Sequence, residues 1–241
     1  KVTVEEIISF TNEYISLDTN YAIREYLDTL DYINSMDFLL LLGDETYLPP
    51  IMDATNSFPS DDYYTTASDG GIFISDPQLI TGRIPVKTIN EANIVANKIY
   101  QYIINPSPGI WKSKVALIAD DMYRSCLFTN TAMEKSHTEY SDNLFDALNH
   151  LVPVLPFYGV HYELQSDSEC EHLDLTHDLI QTINKGIGLI NYIGHGDNEN
   201  LADEKILNSN RDLPLIHVNE NKLAIWIAGT CSFGDYYKKN S

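Results

Sequence analysis

Positive charge is scarce in this chain: 15 Lys and Arg stand against 35 Asp and Glu in 241 residues, a formal net charge of −20. That balance argues against non-specific nucleic-acid binding, which needs cationic side chains to displace counterions from phosphates, and makes cations the expected guests. Cysteine is scarce as well. Cys126, Cys170 and Cys231 lie far apart with no C-x-x-C pair, so neither a disulfide framework nor a zinc knuckle is written here, and the odd count leaves one thiol free or paired with another chain. No apolar run reaches the length of a membrane span, and Lys1-Val2-Thr3-Val4 does not open like a signal peptide. An address for export would have to lie outside this sequence. H-E-x-x-H zinc signatures, EF-hand spacing, internal repeats and low-complexity tracts are all missing.

What the chain does have is core material. With 44% hydrophobic and 11% aromatic residues it can build one large domain or two small ones. Apolar residues recur at helical spacing from Val4 to Leu17 and from Asn20 to Leu30, where Ala22, Ile23, Tyr26, Leu27 and Leu30 share a face. Phe38-Leu39-Leu40-Leu41-Leu42 then runs into Gly43-Asp44 and reads as a fully buried parallel strand. The stretch from Asp53 to Gly71 is a long polar, aromatic loop. Ile72-Phe73-Ile74 and Ile80 to Val86 read as short strands, and Asn90 to Ile104 as a helix. Asn105-Pro106-Ser107-Pro108-Gly109 is the clearest linker, which divides the chain into residues 1–104 and 110–241. Beyond it Val115 to Ala119 forms a strand ending on Asp120-Asp121, followed by a helix from Tyr140 to Leu151, a strand within Val152 to Tyr158 and a helix from Leu175 to Lys185.

Two stretches carry the chemistry. Leu189 to Ile193 breaks into Gly194-His195-Gly196, and Ile225 to Gly229 breaks into Thr230-Cys231-Ser232. Each is a short apolar run ending in small residues with one reactive side chain, and open α/β sheets place their ligands beyond such carboxyl ends. Two neighbouring strand ends would join a thiol to an imidazole. With the peptide N–H groups of Gly196 and Cys231 as oxyanion donors, that is the equipment of a cysteine peptidase. Taken singly, a cysteine after an apolar strand is a common small core residue, and a histidine in a glycine turn is commonly structural. The remaining histidines, His137, His150, His161, His172, His177 and His217, follow no metal-binding spacing and read mostly as surface residues.

Tyr192-Ile193-Gly194-His195-Gly196 followed by a strand ending at Cys231 resembles the gingipain-type cysteine peptidases, relatives of the caspases, a family that includes the sortase of the type IX secretion system. Leu40-Leu41-Leu42-Gly43-Asp44, Ser60-Asp61-Asp62-Tyr63-Tyr64, Gly82-Arg83-Ile84-Pro85-Val86 and Ile118-Ala119-Asp120-Asp121 occur in the family's order, so the likeness spans roughly residues 20–237. The resemblance implies two caspase-like α/β subdomains with mainly parallel sheets, partial here: residues 1–104, a linker at 105–109, and residues 110–241 carrying the dyad. It implies Cys231 as nucleophile and His195 as general base and acid. Asp120, with Asp121 as competitor, stands where the family keeps an acidic residue that holds the histidine ring. Glu134 stands near the position that pairs with an Arg or Lys substrate side chain.

No cofactor is required for this chemistry. Structural calcium is the implied ion, with Asp61, Asp62, Asp120 and Asp121 supplying carboxylates at a site the sequence does not locate. The expected partner is a protein or peptide substrate, and the expected location is secreted or at the cell surface. The family carries further strands and helices at both ends, so the chain reads as truncated, with an open sheet edge. An endopeptidase, a surface sortase releasing the same acyl-enzyme to an amine, and a catalytically silent acidic module binding calcium or protein all remain open.

Overall fold

The computed structural model describes residues 1–12, 18–29, 36–52, 59–66, 68–69, 72–73, 78–120, 135–164, 171–217 and 222–237. The chain forms two compact units, Lys1–Ala96 with Tyr236–Ser241, and Asn97–Asp235.

The first unit opens with helices α1 (Val4–Asn12) and α2 (Thr19–Thr29). Thr3 starts α1 through a reciprocal cap: its hydroxyl accepts from the Glu6 N–H at 3.2 Å, and the Glu6 carboxylate accepts from the Thr3 N–H at 2.7 Å. Hydrogen bonding to Thr3 also holds the Glu6 carboxyl below its ordinary pKa. The expected extension of this helix over 13–17 lies outside the described residues. Ile7 from α1 and Ala22, Ile23 and Leu27 from α2 enter a core with Leu41, Leu48, Ile51, Tyr64 and Leu79.

Strand β1 (Phe38–Leu42) is followed by the hairpin β2 (Ile51–Met52) and β3 (Pro59–Ser60), then by β4 (Ser68–Asp69) with β5 (Ile72–Phe73), and by β6 (Ile80–Ile84). β1 and β6 pair in parallel from Phe38 opposite Ile80 to Leu42 opposite Ile84. β1 is not the fully buried strand that its run of leucines suggested. Side chains alternate sides along a strand, so Leu41 reaches the helical core and Leu39 lies against it, while Phe38, Leu40 and Leu42 are 70%, 65% and 55% exposed. Helices α1 and α2 line one face only, and among the described residues nothing covers the other.

Helix α3 (Ile89–Ile104) begins at Thr88, whose hydroxyl accepts the Glu91 N–H at 3.2 Å, while the Glu91 carboxylate accepts the Lys87 N–H at 2.7 Å. No side chain of α3 is buried. The Asn105 to Gly109 stretch beyond it is anchored by Trp111, a buried indole whose N–H donates to the Ser107 carbonyl at 3.1 Å.

In the second unit, β7 (Val115–Ala119), helix α4 (Lys135–Leu148), β8 (Val154–Tyr158), helix α5 (Leu173–Lys185) and β9 (Leu189–Ile193) alternate as the sequence suggested, though α4 starts earlier than Tyr140. The short pair β10 (Asn200–Leu201) and β11 (Leu207–Asn208), the turn of helix α6 (Ser209–Asp212) and β12 (Ile225–Gly229) complete it. The sheet order is β12-β9-β7-β8, parallel throughout. On one face Ala116, Ile118, Ile190 and Tyr192 meet Leu175, Leu179 and Ile180 of α5. On the other, Leu117, Ala119 and Tyr158 form a smaller cluster with Phe145 of α4 against it. Central strands buried on both faces need continuous apolar sequence, which is why β7 reads Val-Ala-Leu-Ile-Ala. β12 lies at the edge, with Ile225 and Ile227 about half exposed.

Candidate active site

Register places the two reactive side chains. β9 and β12 pair up to Ile193 opposite Gly229, and the Gly194 N–H continues the ladder to the Gly229 carbonyl at 3.4 Å. His195 and Cys231 therefore stand at equal distance along the chain beyond the last paired residues, on neighbouring strands of one sheet. β7 ends level with them, Ala119 opposite Ile193, so Asp120 emerges beside the histidine turn.

That turn is held from both sides. The Asp120 carboxylate, 1% exposed, accepts the His195 main-chain N–H at 2.9 Å, and the Asp120 N–H donates to the Ile193 carbonyl at 3.1 Å. The His195 carbonyl accepts from the Tyr192 hydroxyl and from the Ala202 N–H. Burial, reinforced by the Asp120 charge, pushes the Tyr192 phenol well above its ordinary pKa, so it stays a donor throughout the working range of pH. Gly194 has no room for a side chain: a Cβ there would lie 2.4 Å from the Asp120 Cβ and 2.5 Å from the Tyr192 hydroxyl. Gly194→Ala is expected to displace the turn and to cost roughly 1–3 kcal/mol of stability, as overpacked sites do, which urea unfolding measures.

Gly196 lies against the cysteine turn. A Cβ at Gly196 would meet the Thr230 hydroxyl at 2.5 Å and the Cys231 carbonyl oxygen at 3.4 Å. Gly196 bridges Leu201, but the hydrogen bonds of that bridge are made by its neighbours, Asp197 N–H to the Asn200 carbonyl and Ala202 N–H to the His195 carbonyl. In such a non-hydrogen-bonded pair the Gly196 N–H points away from the ladder. Cys231 carries a free, exposed thiol, as a nucleophile needs, and positive φ at Ser232 turns the chain sharply behind it.

The reading of the other histidines as mostly surface residues holds for His150, His161, His177 and His217, but His137 is an exception. It lies in the first turn of α4, half-buried, with its ring 5.2 Å from the His195 ring at an interplanar angle of 85°. His172 is likewise buried rather than exposed. No local spacing advertises His137, because packing of α4 on the sheet, and not sequence proximity, brings it to the site. Glu134, Asp121, Cys126 and Cys170 lie outside the described residues.

Two of the four carboxylates considered for calcium, Asp61 and Asp120, have other engagements. Both Asp61 oxygens bind Arg83, at 2.6 and 2.7 Å, and Asp61 also accepts the Tyr236 hydroxyl at 2.8 Å. Among the described residues the cluster able to hold an ion is Asp120, His137 and His195. Two imidazoles and one carboxylate do not suit a cation that takes six to eight oxygens.

Two residues beyond the paired ends of adjacent parallel strands stand a thiol and an imidazole, the latter beside a buried carboxylate, the kinds of group that thiol-based catalysis uses. The chain matches Peptidase family C25 over residues 1–241 and belongs to that family. Its fold is that of the gingipains. The crystal structure of the Arg specific cysteine proteinase gingipain R (RgpB) aligns with a TM-score of 0.68 at 18% identity, covering 98% of this chain and 53% of that one. The complex of Porphyromonas gingivalis RgpB pro- and mature domains aligns at 0.66 and 19% identity, covering 91% and 47%. The chain thus spans about half the length of these structures. No curated protein sequence matches it. Among the described residues no helix is long and apolar enough to cross a membrane.

Proposed function

We propose that this chain carries the catalytic dyad of a gingipain-like cysteine endopeptidase, secreted or held at the cell surface and acting on protein substrates. The observation that carries this reading is the shared register of β9 and β12, whose paired ends Ile193 and Gly229 each lie two residues before His195 and Cys231. His195 takes the thiol proton, and the Cys231 sulfur adds to the scissile carbonyl carbon. The developing oxyanion is received by the N–H groups of Gly196 and Cys231. His195 then protonates the leaving amine, and a water deprotonated by the same ring hydrolyses the thioester. Asp120 positions the histidine, directly through its main-chain N–H. Glu134 is the proposed selector of an Arg or Lys side chain, and any calcium has a structural place only.

The test is covalent. A peptidyl electrophile should modify Cys231 selectively over Cys126 and Cys170, and His195→Ala should slow that reaction by at least about 100-fold, within the usual worth of general-base catalysis. Equal labelling of the three cysteines, unaffected by His195→Ala, would mean a catalytically silent module. Adding an amine acceptor to the substrate reaction separates hydrolysis from transfer, since only a sortase-like enzyme returns the amide product in place of the acid.

A further inference from the structure

His137 has no part in the steps above, yet it is packed against the base. One ligand atom each from Asp120, His137 and His195 can be chosen so that all lie within 4.8 Å of one another. They come from three elements, the end of β7, the first turn of α4 and the turn after β9, and so meet only in the folded unit. Their surroundings are unlike a solvated acidic patch: Asp120 is buried and both imidazoles are half-buried. An edge-to-face arrangement of the two rings lets in-plane nitrogen lone pairs converge on a point, whereas stacked rings would aim them in parallel.

We propose that Asp120, His137 and His195 form a zinc site that, when filled, withdraws the histidine from catalysis. Two nitrogens and one carboxylate oxygen are a usual protein ligand set for Zn2+, with bonds of about 2.0–2.2 Å and a fourth position left for water or another ligand. Ligand atoms around a tetrahedral ion of that size stand about 3.3 Å apart, so small side-chain rotations close the set around the metal. The negative Asp120 carboxylate and a chain of net charge −20 favour a cation there. Calcium and magnesium are disfavoured by the two imidazoles. A ring nitrogen bound to zinc cannot take up the Cys231 proton, so the ion and the nucleophile compete for the same histidine. The inhibitory part rests on the peptidase reading; the binding part does not.

Zinc affinity of the whole chain, measured without substrate by competition with a chromophoric chelator, decides the binding part. One equivalent should bind, and His137→Ala and His137→Gln should each weaken it by at least about tenfold, while Cys231→Ser changes it less than about threefold. Wild-type affinity in both His137 variants overturns the proposal. So does a loss in Cys231→Ser as large as that in His137→Ala, which would place the ion on the thiol.

The unmodified chain gives a second reading that needs no variant to fold. Zinc should protect His137 and His195 from acylation by diethyl pyrocarbonate, while the exposed His150, His161, His177 and His217 react as before. Uniform protection, or none, overturns the site. Alkylation of Cys231 by the peptidyl electrophile should slow with one equivalent of zinc and recover with chelator. If zinc binds as described but alkylation shows no dependence on His195 at any zinc level, the peptidase reading fails and the metal site stands.

Discussion

Cys231→Ala should lower the turnover of a cleavable peptide by about 10^4-fold or more while leaving the thermal midpoint unchanged. The first half follows from the role proposed for the sulfur: without a nucleophile only substrate binding and oxyanion stabilisation would remain, and single losses in comparable triads are of that size or larger. The second half follows from position. Cys231 is exposed, lies beyond the last residue of β12 and belongs to none of the three hydrophobic clusters, so its truncation leaves no cavity. Kinetics and calorimetry on the same preparation check both. Undiminished turnover in Cys231→Ala would move the chemistry elsewhere. Gly196→Ala should act differently, because its Cβ would press on Thr230 and shift the proposed oxyanion donors. A loss of about 10^2 to 10^3 in kcat, with Cys231 still open to small alkylating agents, is the expected signature of a damaged oxyanion site.

Asp61→Ala should destabilise the first unit by about 3–5 kcal/mol, the cost of leaving a buried partner charge uncompensated. Arg83 sits in the parallel pair of β1 and β6 with its side chain 4% exposed; both carboxylate oxygens of Asp61 and the Gly43 carbonyl receive its N–H groups. The Tyr236 ring stacks 4.5 Å from the guanidinium. Removing the acid strands the cation, whereas replacing both partners by apolar residues, Asp61→Leu with Arg83→Met, should recover most of the loss. Urea unfolding of the three proteins measures this. A loss below about 1 kcal/mol in Asp61→Ala would show that water reaches the guanidinium and satisfies it.

The ion pair also shows what the sequence conceals. Asp61 and Arg83 each lie in a stretch that carries the family likeness, but nothing in the order of residues says that the two meet. The strand ends were legible because local signals coincide there: Leu-Ile-Asn-Tyr-Ile and Ile-Trp-Ile-Ala-Gly are short apolar runs closed by small residues, and the structure makes both into parallel strands. β1 looked equally clear and was read too strongly. Five consecutive apolar residues distinguish a strand from a loop, but whether both faces are covered depends on elements elsewhere in the fold, and Leu40 has no cover among the described residues. His137 was missed for the complementary reason. Its place beside His195 comes from the docking of α4 over Leu117 and Tyr158, and a polar residue near a helix start gives no local hint of that.

Because the positions of thiol and imidazole are both counted from the one ladder between β9 and β12, they are indifferent to how many residues separate them in the chain but sensitive to parity. Removing Thr230 alone would send the sulfur to the opposite side of the sheet, while extra residues near Leu215 would leave it where it is. Variation in length among relatives should accordingly concentrate around the exposed Leu213 to Leu215 and be rare in the two-step approach to Cys231.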